Sequence, residues 1–276
     1  MIVRHERIKA GTDEIRFVES DEAVASAVAA ALPEVRRWGE KITGCAGPRS
    51  IRVVIADDPP RARDLYWFDP LAWLWLAVPL VAILAGRALN ATGVAITMLL
   101  AASLWWALAF RNGVRCLKAW WPHAGGMTMM QYAFFRPVVA LHWPRPPRSP
   151  AAAALAIPVA DSEHPRQVVA HEYAHCLLRQ LRGYAPAWLD EGFAFWFAEQ
   201  ATGQPFFRPE SRACVVEAEP ERDMRRATTF PGEVYYRLTA RYYWEVRALA
   251  EEGLISEALR TPYRGLERFR RRPTTG

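Results

Sequence analysis

The sequence predicts an α+β protein whose two parts are separated by a two-helix transmembrane hairpin. Three observations carry that expectation: a helical segment and a β-branched run near the N-terminus, two long uncharged runs after them, and helical patterns with regularly spaced histidines in the second half. The boundaries fall at residues 1–64, 65–112 and 113–276. With 276 residues, 51% of them hydrophobic and 23% charged, the chain can bury a core and is neither disordered nor wholly membrane-embedded.

In the first part, DEAVASAVAAALPEVRRWGEKI has helical periodicity, with acids at its start and bases near its end, as the helix dipole favours. SIRVVIAD is a β-branched run closed by DDPP, which predicts a buried strand ending in a turn.

In the second part no charge interrupts the chain from Pro70 to Gly86 or from Ala88 to Phe110. A helix needs about 20 residues to cross a bilayer, so the second run suffices and the first is at the short end. Trp67, Trp73, Trp105, Trp106, Trp120 and Trp121 lie near the ends, where amphipathic rings favour the lipid interface. Arg52, Arg61 and Arg63 precede the pair, and Arg111, Arg115 and Lys118 follow it, whereas Arg87 alone occupies the connection. The positive-inside rule then predicts a two-pass protein in a lipid bilayer with both flanking parts in the cytoplasm.

In the third part RPVVALHWP reads as a strand, PRPPRSPAAAA as a proline-rich connection, and PGEVYYRLTARYYWEVRALAEEGL as an amphipathic helix. The net charge of +6 comes mostly from arginine and is dense in the terminal RGLERFRRRPTTG, which predicts a solvated end rather than a nucleic-acid site. Cys45, Cys116, Cys176 and Cys214 lack CxxC spacing, which argues against a cysteine zinc site or a disulfide framework and fits reduced thiols. The opening residues contain no apolar core segment, so no cleavable signal peptide is expected.

The chemistry concentrates in VVAHEYAHCLLRQLRGYAPAWLDEGFAFWFAEQ, residues 168–200. Residues four apart on a helix share a face, so His171 and His175 can aim imidazole nitrogens at one ion. Glu172, turned by roughly one hundred degrees, lies beside that ion and is placed to take a proton from water. Asp161 and Ser162 offer capping oxygens, Pro165 suits a first turn, and Gly183 supplies a left-handed stop. A catalytic metal wants three protein ligands and an open position. WLDEG, on a helix joined by the short RGYAPA connection, brings a carboxylate close; Asp190 points elsewhere and suits a cap on Gly192 or Phe193.

HEYAH followed by WLDEGFAFW resembles the gluzincin metallopeptidases, and in spacing it is more similar to the shorter peptidase-MA-like families than to aminopeptidase N. The resemblance implies a zincin-like domain with a small N-terminal mixed sheet, an active-site helix and a C-terminal helical part. It implies Zn2+ held by His171, His175 and Glu191, Glu172 as general base, and hydrolysis of a peptide or protein substrate. It further implies a downstream tyrosine for the oxyanion, and among Tyr235, Tyr236, Tyr242 and Tyr243 helical spacing puts Tyr236 and Tyr243 on one face. No amine-binding element of the aminopeptidase kind is present. By the same likeness Ile51–Ala56 and Pro137–His142 belong in one sheet, with the substrate groove along the edge strand near VVALHWP.

Two other readings fit parts of the sequence. A membrane zinc protease of the heat-shock or prenyl-protein type would take its third ligand from a more distant helix, at Glu217, Glu219, Glu233 or Glu245. A silent membrane-anchored adaptor would keep zinc for structure, although such a site has no use for Glu172. His164 reads as a solvated first-turn residue, and His5, His123 and His142 as surface or packing residues.

Overall fold

A computed structural model of the protein describes residues 5–59, 67–68, 84, 87, 93–94, 96–97, 100, 103–104, 121, 125–129, 135–144, 150–214 and 233–269. Strands β1 (His5–Ala10) and β2 (Asp13–Val18) form an antiparallel hairpin. Its two-residue turn uses Gly11 at φ 63°, a left-handed value that costs glycine nothing. Helix α1 (Glu22–Thr43) has the predicted length and ends at Gly44, whose N–H bonds the Glu40 carbonyl at 2.8 Å.

Strand β3 (Arg52–Ala56) follows, then the short β4 (Trp67–Phe68), β5 (Gly126–Met129), β6 (Phe135–Arg136) and β7 (Val138–His142). Strands β4 and β6 pair antiparallel, and the other five form one mixed sheet in the order β1-β2-β3-β7-β5. The segments expected in one sheet are neighbours: β3 and β7 run parallel, in register from Arg52 opposite Val138 to Ala56 opposite His142. The expected edge, however, is not β7. It lies between β3 and β5, and β5 is outermost because the glycine-led GMTM segment pairs antiparallel with it.

Alternation along β3 and β7 divides their side chains between two faces. Val53, Ile55, Val139 and Leu141 join the main core with the helices, whereas Val54, Ala56, Val138 and Ala140 pack behind the sheet with Trp121. Trp121, expected at a lipid interface, is instead buried; its Nε1–H donates to the Asp57 carbonyl at 2.6 Å and its ring stacks on His142.

Helices α2 (Pro150–Leu155), α3 (His164–Arg182), α4 (Ala187–Thr202), α5 (Glu233–Glu251) and α6 (Ile255–Arg260) complete the described architecture. Helix α3 is buried on almost every side, between α1, the sheet and α4. It has no side-chain cap from Asp161 or Ser162, because the Ala160 carbonyl already accepts from the Glu163 and His164 N–H groups, each at 3.0 Å. Pro165 sits in the first turn, and Gly183 ends the helix at φ 75°.

Among the described residues no helix is long and apolar enough to cross a membrane. That finding overturns the predicted transmembrane hairpin at 65–112, and with it the two-pass placement, the bilayer partner and the cytoplasmic orientation. The prediction rested on run length and lack of charge, which a segment satisfies whether or not its backbone forms one unbroken spanning helix. Most of 65–112 lies outside the described residues.

Helices α4 and α5 meet at backbone distance. A Cβ at Gly192 would run into the Tyr242 carbonyl oxygen and lie 2.7 Å from Val246 Cγ2. Gly192→Ala is therefore expected to destabilise the protein by about 1–3 kcal/mol, despite alanine's better helix propensity of about 1 kcal/mol. Urea unfolding measures this; an unchanged midpoint would mean the two helices are not in such contact.

Candidate metal centre

Helical spacing on α3 brings the His171 and His175 rings to 4.9 Å between centroids, with Nε2 atoms 3.2 Å apart. The turn after Gly183 reverses the chain, and Pro186, in extended conformation, caps α4. Asp190 falls in the first turn of α4, with Glu191 next to it. Glu191 Oε2 stands 3.7 Å from His171 Nε2, and ligand atoms of all three residues lie within 4.8 Å of one another. Phe195, one turn beyond Glu191, packs its ring 4.3 Å from that of His171, so one face of α4 supplies both the carboxylate and the wall that backs the imidazole.

The groups behind these three matter as much. Asp190 does not serve as a cap; its Oδ1 accepts a hydrogen bond from His175 Nδ1 at 2.8 Å. A proton held at Nδ1 leaves the lone pair of Nε2 directed at the centre. His171 Nδ1 is buried and has no partner among the described residues. Glu172 lies on the neighbouring face of α3, where Thr128 of β5 bonds its carboxylate Oε2 at 2.7 Å.

Burial dominates the electrostatics. It pushes the Glu191 carboxyl up to about 7, against the pull of His175 and with help from Asp190 and Glu172. It also drives His171 well below the usual imidazole range, and the neighbouring His175 adds to the effect. Burial opposes protonation of His175 too, but Asp190, Glu191 and Glu172 outweigh it and raise this imidazole. Glu172 is raised by burial, while His175 and Thr128 hold it back.

A cation would resolve what this arrangement leaves unsatisfied. Glu191 Oε2 is buried without a hydrogen-bond partner among the described residues, and the two Nε2 atoms face each other. Two ligands at about 2.05 Å from a tetrahedral ion are about 3.3 Å apart, close to the 3.2 Å observed. His171, His175 and Glu191 could therefore hold a metal ion.

Other candidates are placed as follows. The Tyr243 hydroxyl bonds Glu199 and Arg247, the latter at 2.8 Å, in the α4–α5 interface. Tyr236 packs edge-on against Tyr235, at 5.4 Å. Tyr235 feels the acids of the centre: burial raises its hydroxyl pKa well above normal, and Glu191, Tyr236 and Glu172 add to the rise. Glu245 is paired with Arg241 at 2.7 Å, whereas Glu217 and Glu219 lie outside the described residues. His164 is buried rather than solvated, and Cys45, Cys176 and Cys214 are free thiols.

The roles of Asp190 and Thr128 were missed in the sequence. Asp190 sits beside a ligand in a position that also suits a cap. For Thr128, the alternation of Gly126 and Thr128 with Met127 and Met129 in GMTM was an available signal of two different strand faces.

Compared with known proteins, the chain matches no family model, no curated protein and no solved structure.

Asp190→Ala is expected to weaken binding of a divalent ion by about 10–100-fold, read by competition with a chelating dye. Asp161→Ala, outside the centre, should leave the affinity unchanged. Equal affinity in wild type and Asp190→Ala would mean that the Asp190–His175 hydrogen bond does not orient a ligand.

Proposed function

We propose that the protein is a zinc-dependent metallopeptidase of the gluzincin kind, hydrolysing peptide bonds with Glu172 as general base. The observation that supports this best is the convergence of His171, His175 and Glu191 within 4.8 Å of one another, with the Glu172 carboxylate near enough to act electrostatically on His175 and Glu191. A purely structural ion would be served by a fourth ligand instead of a base. The nitrogen and oxygen donors favour zinc among the divalent metals.

Zinc, when bound, supplies Lewis acidity towards a carbonyl oxygen and lowers the pKa of water towards about 7. His171 Nε2, His175 Nε2 and a Glu191 carboxylate oxygen hold it. Asp190 keeps the His175 ring turned so that Nε2 stays directed inwards. Glu172 accepts the proton of the attacking water at its carboxylate and delivers it to the departing amine nitrogen. Its burial suits this work, since a carboxylate raised above its normal range is a better base.

An extended substrate segment fits the outer side of β5, not β7. The His142 N–H bonds the Gly125 carbonyl at 3.0 Å, so by antiparallel alternation the main-chain groups of Gly126 and Thr128 face away from β7. Free groups on an edge strand recognise a peptide by adding it as one more strand. Such pairing is made by main-chain groups and requires an extended segment, which favours unstructured substrates.

Glu172→Gln is expected to retain zinc in equimolar amount and to lose hydrolysis of an unfolded protein substrate by about 10²–10⁴-fold. Metal analysis and a fluorescence-release assay read the two quantities. Full activity in Glu172→Gln would remove Glu172 from the reaction, and no turnover by the zinc-loaded wild type would sink the peptidase reading.

A further inference from the structure

We propose that Thr128 is a positioning residue that fixes the carboxylate of Glu172 from the edge strand, an inference that rests on the peptidase reading above. The first support is the contact between β5 and α3. A Cβ at Gly126 would run into Val168 Cγ1 and stand 3.2 Å from Glu172 Cγ and Oε1. Only a bare backbone lets the strand come this close to the helix. Thr128, two residues on and therefore on the same strand face, is carried within reach of the base.

The second support is the contact that the Thr128 hydroxyl makes there. Thr128 Oγ1 lies 2.7 Å from Glu172 Oε2 and 2.9 Å from the Glu172 carbonyl oxygen. A hydroxyl has one proton, and the ionised carboxylate is the stronger acceptor. The bond to Oε2 is also the shorter of the two. The Thr128 hydroxyl thus holds the carboxylate at Oε2. Oε1 is left as the oxygen that exchanges a proton with water and the leaving amine.

A base placed in this way does not search for its proton, and such orientation lowers the barrier without adding binding energy for substrate. The role belongs to the hydroxyl, since valine has almost the same shape, suits a strand and cannot donate.

The test uses the full chain loaded with zinc, as wild type, Thr128→Val and Thr128→Ser. Thr128→Val should lower kcat by about 10–100-fold with KM, zinc content and Tm unchanged, and Thr128→Ser should recover most of the loss. A crystal structure of the zinc-loaded Thr128→Val variant should show the Glu172 carboxylate in more than one orientation, against one in the wild type. Wild-type kcat in Thr128→Val, equal loss in the valine and serine variants, or a loss that follows zinc content would each overturn the proposal. If the wild type has no turnover, the peptidase reading fails on that result. The two crystal structures then decide the positioning separately, and an unmoved Glu172 in Thr128→Val overturns it.

Discussion

Two imidazoles and a carboxylate, half-buried and within 4.8 Å of one another, form the constraint around which the described structure is arranged. Ionisable groups removed from water cost free energy unless they are paired, hydrogen-bonded or bound to an ion. Here Asp190 serves one ring edge, while His171 Nδ1 and Glu191 Oε2 have no hydrogen-bond partner among the described residues. Holding such a cluster together requires a rigid frame. Helix α3 lies at the middle of the core, and the backbone contact at Gly192 locks α4 against α5 one residue from the Glu191 carboxylate.

Several ionic groups elsewhere are paired within the chain. Asp13 accepts two bonds from Arg36, at 2.9 and 2.5 Å, and one from the Ile51 N–H at 2.8 Å, tying β2, α1 and the start of β3 together. Arg241 and Glu245 pair along α5, and Tyr243, Glu199 and Arg247 form a network between α4 and α5. What marks the His171, His175 and Glu191 cluster as a place for a ligand is the convergence of three metal-ligating atoms within 4.8 Å of one another.

The centre was legible in the sequence because its geometry is mostly local. Four-residue spacing puts His171 and His175 on one face of any α-helix, and the short connection after Gly183 obliges α4 to return beside α3. The pairing of β3 with β7 was also legible, through their β-branched runs. What depended on distant partners was not. Asp190 occupies a position that suits a cap as well as a bond to His175, and only the packing of α4 on α3 selects between them. The edge status of β5 follows from a strand too short and glycine-rich to stand out beside VVALH. The transmembrane hairpin was a compositional expectation, and lack of charge does not fix whether one continuous spanning helix forms. The tyrosines fared similarly, since helical periodicity groups Tyr236 with Tyr243 but cannot tell that the Tyr243 hydroxyl is taken up by Glu199 and Arg247.

The central claim is that His171, His175 and Glu191 meet at one ion. X-ray absorption combined with anomalous diffraction on the zinc-loaded protein tests it directly. The account predicts a single ion bound by two imidazole nitrogens and one carboxylate oxygen, each at about 2.0–2.2 Å. An ion bound elsewhere, or one bound by the histidines with Glu191 turned away, would contradict it.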